Sequence, residues 1–470
     1  MPTFPNARSP IALTALAVCA LFSSGRSAIG SELDRPNVIL CMTDDQGWGD
    51  TGYNGHPVLR TPHLDQMANE GIRFDRFYSG APVCSPTRGS CITGRHPYRY
   101  GIKFANDGRM PVEEITLAEV LKTQGYTTGH FGKWHLGTLT TSVKDANRGR
   151  PGDERFYSPP WKNGFDQCFS TEAKVPTFWK HGSYDSYGTH YWTAPEQMVP
   201  ASEISGDDST LIMDRAIPFI TAAAKRGSPF LAVIWFHAPH LPVISAPPFT
   251  DGYQEHADYY GCITAMDQQM GRLRARLKEL RIDDNTMIWF CSDNGPEGDA
   301  TAPGSTRGLR GRKRSLYEGG VRVPGLLIWP KLVTQCRTVS TPCSTSDLFP
   351  TVLDALGHRL PETETRPFDG MTLLPLVRGE RNERPRPIAF ESQDQLALID
   401  NRYKVFSADA GKTFELYDLI ADPEERYNLA PQLPQIVNPM TDVLEKWRNS
   451  CSDSAVGKDY DAPTDHATTP

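Results

Sequence analysis

The reactive chemistry of this chain is concentrated in two acidic pairs, one cysteine and a few basic side chains. Asp44 and Asp45 follow the apolar run NVILCMT, and Asp293, Asn294 and Gly295 follow the apolar run TMIWFCS. If the two runs are neighbouring strands, three carboxylates and an amide converge at one rim. Such a set repels itself unless a cation sits among it, and an all-oxygen set suits Ca²⁺ or Mg²⁺ better than zinc. Each pair is equally at home in a turn, where Asp-Asp and Asp-Asn-Gly are favoured. Cys84 opens the stretch CSPTRGSCITGR, which also holds Pro86, Arg88 and Cys91. Half of a disulfide, a buried thiol and a reactive centre are all open readings for it. Lys133 and His135 in GHFGKWHLG, His237 and His240 in FHAPH, and Lys313 between Arg312 and Arg314 in LRGRKRSLYEGG supply positive charge. A lone His or Lys at a strand end ordinarily caps or pairs a neighbour. Several of them beside a cation and a cysteine would form a site for an anionic tetrahedral group.

The elements that must bring these residues together are legible as period. NVILCM, PFLAVIWF, TMIWFC and GLLIW read as buried strands. PHLDQMANEG, TLAEVLKTQG, DYYGCITAMDQQMGRLRARLKEL and SDLFPTVLDALG read as helices. Strands alternating with helices predict an α/β fold, a large and mainly parallel sheet covered by helices on both faces. In such a sheet ligands gather at the carboxyl ends of the strands, where the acidic pairs lie. After about Leu376 the runs PIAFES, LALIDNRYKVFS and FELYDL, with a helix around MTDVLEKWRN, predict a small antiparallel sheet and helix. The expected division is therefore a catalytic α/β domain over 31–375, a smaller α+β subdomain over 376–451, and a disordered tail over 452–470.

Residues 1–30 carry Arg8, the apolar run IALTALAVCALF and a small-residue stretch, the order of a secretory signal peptide. Twelve apolar residues are too few to cross a bilayer, no later run is longer, and the position of Cys19 inside the run argues against a lipoprotein site. The expectation is an exported chain, periplasmic or secreted, without a membrane span. Loss of Arg8 and Arg26 with the leader lowers the basic count from 49 to 47 against 56 acidic residues, a net charge of −9. Nucleic acid is a poor partner for that balance. Nine cysteines remain and none forms a CxxC pair. Cys41 and Cys291 read as small core residues, and Cys336 and Cys343 flank a loop across which a disulfide can form.

CSPTRGSCITGR matches the C-x-P-x-R signature of the type I, formylglycine-dependent sulfatases, and TDDQGWGD, GKWHLG, HAPH, SDNG, YEGG and ELYDLIADPEERYNLA match its companions in the family's order. From Asn37 to Leu429 the chain resembles this arylsulfatase-like family of the alkaline phosphatase superfamily. The resemblance implies that a maturation enzyme oxidises Cys84 to formylglycine, whose hydrate carries two hydroxyls on one carbon, one to attack sulfur and one whose deprotonation expels sulfate. It implies one Ca²⁺ held by Asp44, Asp45, Asp293 and Asn294 with the modified Cys84. It implies that Arg88 holds the formylglycine hydroxyl, that Lys133 and Lys313 contact sulfate oxygens, and that His135 is the base of the release step. His237 matches the acid near the leaving oxygen, with His240 in reserve. GRKRS departs from relatives by flanking Lys313 with arginines, so Arg312 or Arg314 can share its contact, and Cys91 reads as packing on the helix after Cys84.

The implied activity is removal of sulfate from a sulfated substrate. A phosphonate monoester hydrolase or phosphodiesterase of the same superfamily and a secreted, non-catalytic calcium-binding protein are the alternatives, while a two-zinc phosphatase would need a second His/Asp set. The segment 150–198 is dense in Trp161, Phe165, Trp179, His181, Tyr184, Tyr187, His190, Tyr191 and Trp192. These residues suit either stacking on sugar rings, which with export favours a carbohydrate sulfate, or the core of a long insertion.

Overall fold

A computed structural model of the chain describes residues 35–460. The expected leader and the last ten residues lie outside the described residues. Five parallel strands form the centre: β1 (Asn37–Thr43), β2 (Thr127–Lys133), β3 (Gln167–Thr171), β4 (Phe230–Trp235) and β5 (Thr286–Ser292). Their spatial order is β5-β1-β4-β2-β3, and short, mostly antiparallel strands on both edges extend the sheet to ten strands. The mixed, mainly parallel architecture is the expected one.

Successive side chains of a strand point to opposite faces, and here both faces are apolar. Val38, Leu40 and Met42 of β1 enter one core with Trp235, Trp289 and Cys291, whereas Ile39 and Cys41 enter the other with Ile234, Ile288 and Phe290. That is why these strands read as continuous hydrophobic runs rather than as alternation. The first face is covered by α1 (Cys84–Thr93) and by the helices Leu117–Thr123 and Leu348–Ala355. The second is covered by α2 (Asp208–Lys225) and α3 (Ala257–Glu279), whose Ile212, Phe219, Ile263 and Met270 are fully buried.

The small antiparallel sheet begins at Ile388 and has four strands in chain order, β6 (Ile388–Ser392), β7 (Gln395–Ile399), β8 (Tyr403–Ser407) and β9 (Glu415–Asp418). One face packs on Tyr78, Leu316 and Val321 of the main body; the other receives Met440 and Leu444 of α4 (Pro434–Ala455). This helix outruns the expected boundary at Cys451, and a short 3₁₀ turn follows over Lys458–Tyr460. Residues 452–460 are held because Asp459 accepts a hydrogen bond from the nearly buried Arg95 at 2.6 Å and Tyr460 donates to Glu114 at 2.5 Å. Over 452–460 the polar composition that suggested a tail belongs to a docked helix end.

The segment dense in aromatics is mostly core. Phe165, Trp179, Tyr184, Tyr191 and Trp192 are buried, and Phe169 stacks on Tyr191 with ring centres 4.0 Å apart. Cys336 and Cys343 are both free thiols, one exposed and one buried, so the disulfide left open by their spacing is not formed. Cys41, Cys91 and Cys291 sit in the cores.

The two parts of the molecule are joined by a buried ionic triad. Lys404 of β8 lies at 3.1 Å from Glu318 and 2.9 Å from Glu425, with no exposed side-chain surface on any of the three. Removing the cation from such a group leaves two carboxylates facing each other away from water, which costs more than the pair contributes when intact. The substitution Lys404→Met should lower the unfolding free energy by about 3–5 kcal/mol, read as a lower midpoint in urea. An unchanged midpoint would refute this account of the seam.

Candidate active site

β1 and β5 are adjacent and in register, with Thr43 opposite Ser292, so the residues that follow them emerge side by side. Asp44, Asp45, Asp293 and Asn294 all sit there with at most 1% exposure. Asp45 takes a left-handed backbone conformation, φ 65°, which Asp tolerates better than most residues. In that conformation its N–H donates to Asp293 Oδ1 at 3.1 Å, and Asn294 Nδ2 donates to Asp45 Oδ1 at 2.7 Å. Gly295 allows the loop to lie on the YEGG turn, since a Cβ there would stand 2.0 Å from the carbonyl oxygen of Gly319.

Three cations neutralise this group. Arg88 donates from Nη2 and Nε to Asp293 Oδ2 at 2.6 and 3.1 Å, and from Nη1 to the carbonyl of Lys133 at 3.0 Å. Lys133 Nζ lies 2.6 Å from Asp44, and Lys313 Nζ lies 2.8 Å from Asp45. Burial pushes the Asp44 carboxyl up, but Lys133, His240, Arg88 and Lys313 together outweigh it and hold the group well below the usual carboxylate range. Asp293 is pushed up to about 7, by burial first and then by the charge of Asp44. Lys133 reaches the rim because β2 runs close beside β4. A Cβ on Gly132 would fall 1.9 Å from the carbonyl oxygen of Trp235.

Cys84 opens α1, whose first turn points at the same rim. The Cys84 sulfur, a ring nitrogen of His240 and carboxylate oxygens of Asp44 and Asp45 all lie within 4.8 Å of one another. Burial raises the Cys84 thiol to about 11, the neighbouring lysines only partly offsetting it. An unmodified thiol there stays protonated at neutral pH and is a poor nucleophile.

Two buried oxygens of the cluster, Asp44 Oδ1 and Asn294 Oδ1, have no hydrogen-bond partner. Unpaired buried acceptors are costly, and together with the remaining carboxylate oxygens they form a donor set suited to a hard divalent cation.

The two histidines of FHAPH separate. His237 is fully buried, with Nδ1 at 2.8 Å from Asp208 and Nε2 at 2.8 Å from Thr171 Oγ1, so both ring nitrogens are occupied inside the protein. His240, kept in reserve from sequence, is the one turned to the cluster, its Nε2 at 3.5 Å from Asp45. Alternation explains this: His237 continues the buried course of β4, whereas His240 lies in the turn beyond it.

Among the three basic residues of GRKRS, Lys313 alone bonds to Asp45. Arg312 donates to the Glu297 carbonyl at 3.0 Å, and Arg314 pairs with the Glu297 carboxylate. Glu297, also 3.2 Å from Lys313, escaped the sequence reading although it lies three residues after Asn294. His135, at φ 58° and 4% exposed, is held down in pKa by burial and then by Lys133 and Arg148. Its Nε2 lies 2.9 Å from Asn106, a partner that no motif announced.

The chain is similar to known proteins over most of its length. The sulfatase family model matches residues 36–358, and the model of the C-terminal part of N-sulphoglucosamine sulphohydrolase matches 311–450. Rat steryl-sulfatase is 31% identical over 411 residues, covering 73% of this chain and 70% of the relative. Dog N-acetylgalactosamine-6-sulfatase is 32% identical, covering 81% and 72%, and bovine arylsulfatase A is 30% identical, covering 85% and 84%. Among solved structures, Ps i-CgsB superposes with a TM-score of 0.77 at 25% identity over 88% of this chain and 93% of that one. The phosphonate monoester hydrolase of Agrobacterium radiobacter, at 22% identity and a TM-score of 0.63 over 89% and 96%, shares the fold.

The different surroundings of the two histidines give a direct check. His237→Ala strips buried partners from Asp208 and Thr171 and should lower the unfolding free energy by about 2–3 kcal/mol. His240→Ala, at the rim, should stay within about 1 kcal/mol of the parent. Equal losses in equilibrium denaturation would contradict the separation. With its family model matched over most of its length and relatives about 30% identical over more than two thirds of it, the chain belongs to the sulfatase family, whose named members are sulfuric ester hydrolases.

Proposed function

We propose that the protein hydrolyses a sulfate ester of a carbohydrate, using a formylglycine made from Cys84 and one Ca²⁺ held by Asp44, Asp45, Asp293 and Asn294. The observation that carries this reading is the convergence of the Cys84 sulfur, His240 and two carboxylates within 4.8 Å, flanked by Lys133 and Lys313. The bound ion would supply Lewis-acid polarisation of a sulfate oxygen and of the nucleophile. The hydrated aldehyde would supply one hydroxyl to attack sulfur and a second whose deprotonation releases sulfate.

The chain's own residues define the remaining roles. Three carboxylates are matched in charge by Arg88, Lys133 and Lys313, so a bound divalent cation leaves the site with surplus positive charge, which suits an anionic substrate. Lys133 and Lys313, on either side of the acidic cluster, bind and orient the sulfate oxygens. Arg88, committed to Asp293, holds the carboxylate array rather than the substrate. His240 donates the proton to the departing sugar oxygen, the role first given to His237, because His237 has no free ring nitrogen. His135, neutral in its buried setting, accepts a proton at Nδ1 during sulfate release.

A carbohydrate substrate is supported by the likeness to the N-acetylgalactosamine-6-sulfatase relative and by the anticipated export of the chain. No helix among the described residues is long and apolar enough to cross a membrane. The aromatic segment supports this choice less than its composition suggested, because most of it is core.

Protein co-expressed with a formylglycine-generating enzyme should show the aldehyde or its hydrate on the tryptic peptide containing Cys84 and should release sulfate from members of a panel of sulfated saccharides and aryl sulfates. Cys84→Ala should keep the fold and lose turnover by at least about a thousand-fold. Full activity with an unmodified thiol would end this mechanism, and turnover of phosphonate esters alone would favour the phosphonate hydrolase reading.

Calcium has its own check. Ca²⁺ at 100 times its Kd should stabilise the protein by about 2.7 kcal/mol, raising Tm, and Asn294→Ala should remove most of that rise. Elemental analysis should find about one hard divalent ion per chain. Two tightly bound zinc ions would contradict the assignment.

A further inference from the structure

His135 lacks the carboxylate partner that fixes His237, yet a proton acceptor works only if the correct ring nitrogen is bare. The structure supplies another fixing group. Asn106 lies on a loop over the start of α1, its N–H at 3.4 Å from Ser85 Oγ, and its side-chain oxygen receives two contacts. Asn147 Nδ2 lies 2.7 Å from Asn106 Oδ1, and His135 Nε2 lies 2.9 Å from the same atom. An amide NH₂ only donates, and a carbonyl oxygen only accepts. Asn147 thereby turns the oxygen of Asn106 toward the histidine, and His135 Nε2 must carry the hydrogen. A neutral imidazole has one such hydrogen, so Nδ1 is left bare, and it is buried without a partner.

The backbone is arranged to hold this contact. Asn106 sits at φ 69°, a left-handed conformation that Asn adopts readily. His135 donates its own N–H to the carbonyl of Glu172 at 2.9 Å, which fixes the approach of the ring.

We infer that Asn106 is a positioning residue for His135, and that its side-chain oxygen fixes the ring orientation and the tautomer with hydrogen on Nε2 and a free Nδ1. The inference rests on the role given to His135 above, but the tautomer is measurable without it. The proton taken up at Nδ1 converts the ring to imidazolium, and the other hydrogen stays on Nε2, donated to Asn106 Oδ1 throughout. Asn147 acts one step further out by orienting Asn106.

The test uses full-length protein. Long-range ¹H–¹⁵N spectra of histidine-labelled protein with unmodified Cys84, assigned through His135→Gln, should show hydrogen on Nε2 of His135. Hydrogen on Nδ1 would overturn the proposal whether or not His135 is the base of the release step. In matured protein, Asn106→Gly keeps the left-handed backbone and removes only the side chain. It should leave kcat/KM and the initial burst of phenol from an aryl sulfate unchanged while lowering steady-state kcat, and KM with it, about ten-fold, the loss of roughly one hydrogen bond. Asn106→Asp, which offers an acceptor oxygen at the same place, should restore most of kcat. Parental kcat in Asn106→Gly, or failure of Asn106→Asp to recover it while both variants fold, would overturn the assignment.

Discussion

Three carboxylates held together away from water dictate much of the rest of this molecule. At an effective dielectric constant of 20, two like charges 4 Å apart repel by about 4 kcal/mol, before the larger cost of removing each from water. Asp44, Asp45 and Asp293 can share the rim only because Arg88, Lys133 and Lys313 reach them from three different parts of the chain. Each cation has its own means of arrival: a helix laid across the strand ends, a glycine that lets β2 run close to β4, and a loop seated on Glu297.

The same constraint reaches outward to the small domain. Gly295 presses the acidic loop against the YEGG turn, and Glu318 of that turn enters the ionic triad with Lys404 and Glu425. The C-terminal sheet thus buttresses the site from behind without lining it. Lys404 contacts a turn whose backbone in turn accepts a hydrogen bond from Gly295, in the loop that follows Asp293, at 2.9 Å. This contact chain links the stability of the small domain to the shape of the rim.

Function follows from an imbalance that the fold maintains. The carboxylates and cations match in charge, yet Asp44 Oδ1 and Asn294 Oδ1 stay unpaired, leaving capacity for a hard cation and, with it, for an anionic substrate. Histidines near this charge are treated differently according to need. His237 is spent on internal hydrogen bonds to Asp208 and Thr171; His240 and His135 each keep a position from which a proton can move.

The sequence alone determined the parallel α/β architecture, because strands buried on both faces must read as unbroken apolar runs, and it determined the identity of the acidic and cysteine motifs, because they follow strand ends in fixed order. It also marked Cys41 and Cys291 as core residues. What it left undecided depended on contacts distant along the chain. That His237 is bonded on both ring nitrogens depends on Asp208 and Thr171, which no local spacing relates to FHAPH. The aromatic segment from 150 to 198 read equally as a sugar platform or a core, and only packing decided for the core. Residues 452–460 read as the start of a tail, and only their contacts with Arg95 and Glu114 show them held. Asn106 and Glu297 carry no local signature, since an amide or a carboxylate in a loop becomes informative only when tertiary structure shows which side chain it meets. Local pattern specifies which residues lie on a strand or at its end; which of them share a hydrogen bond is set by how the separate elements pack.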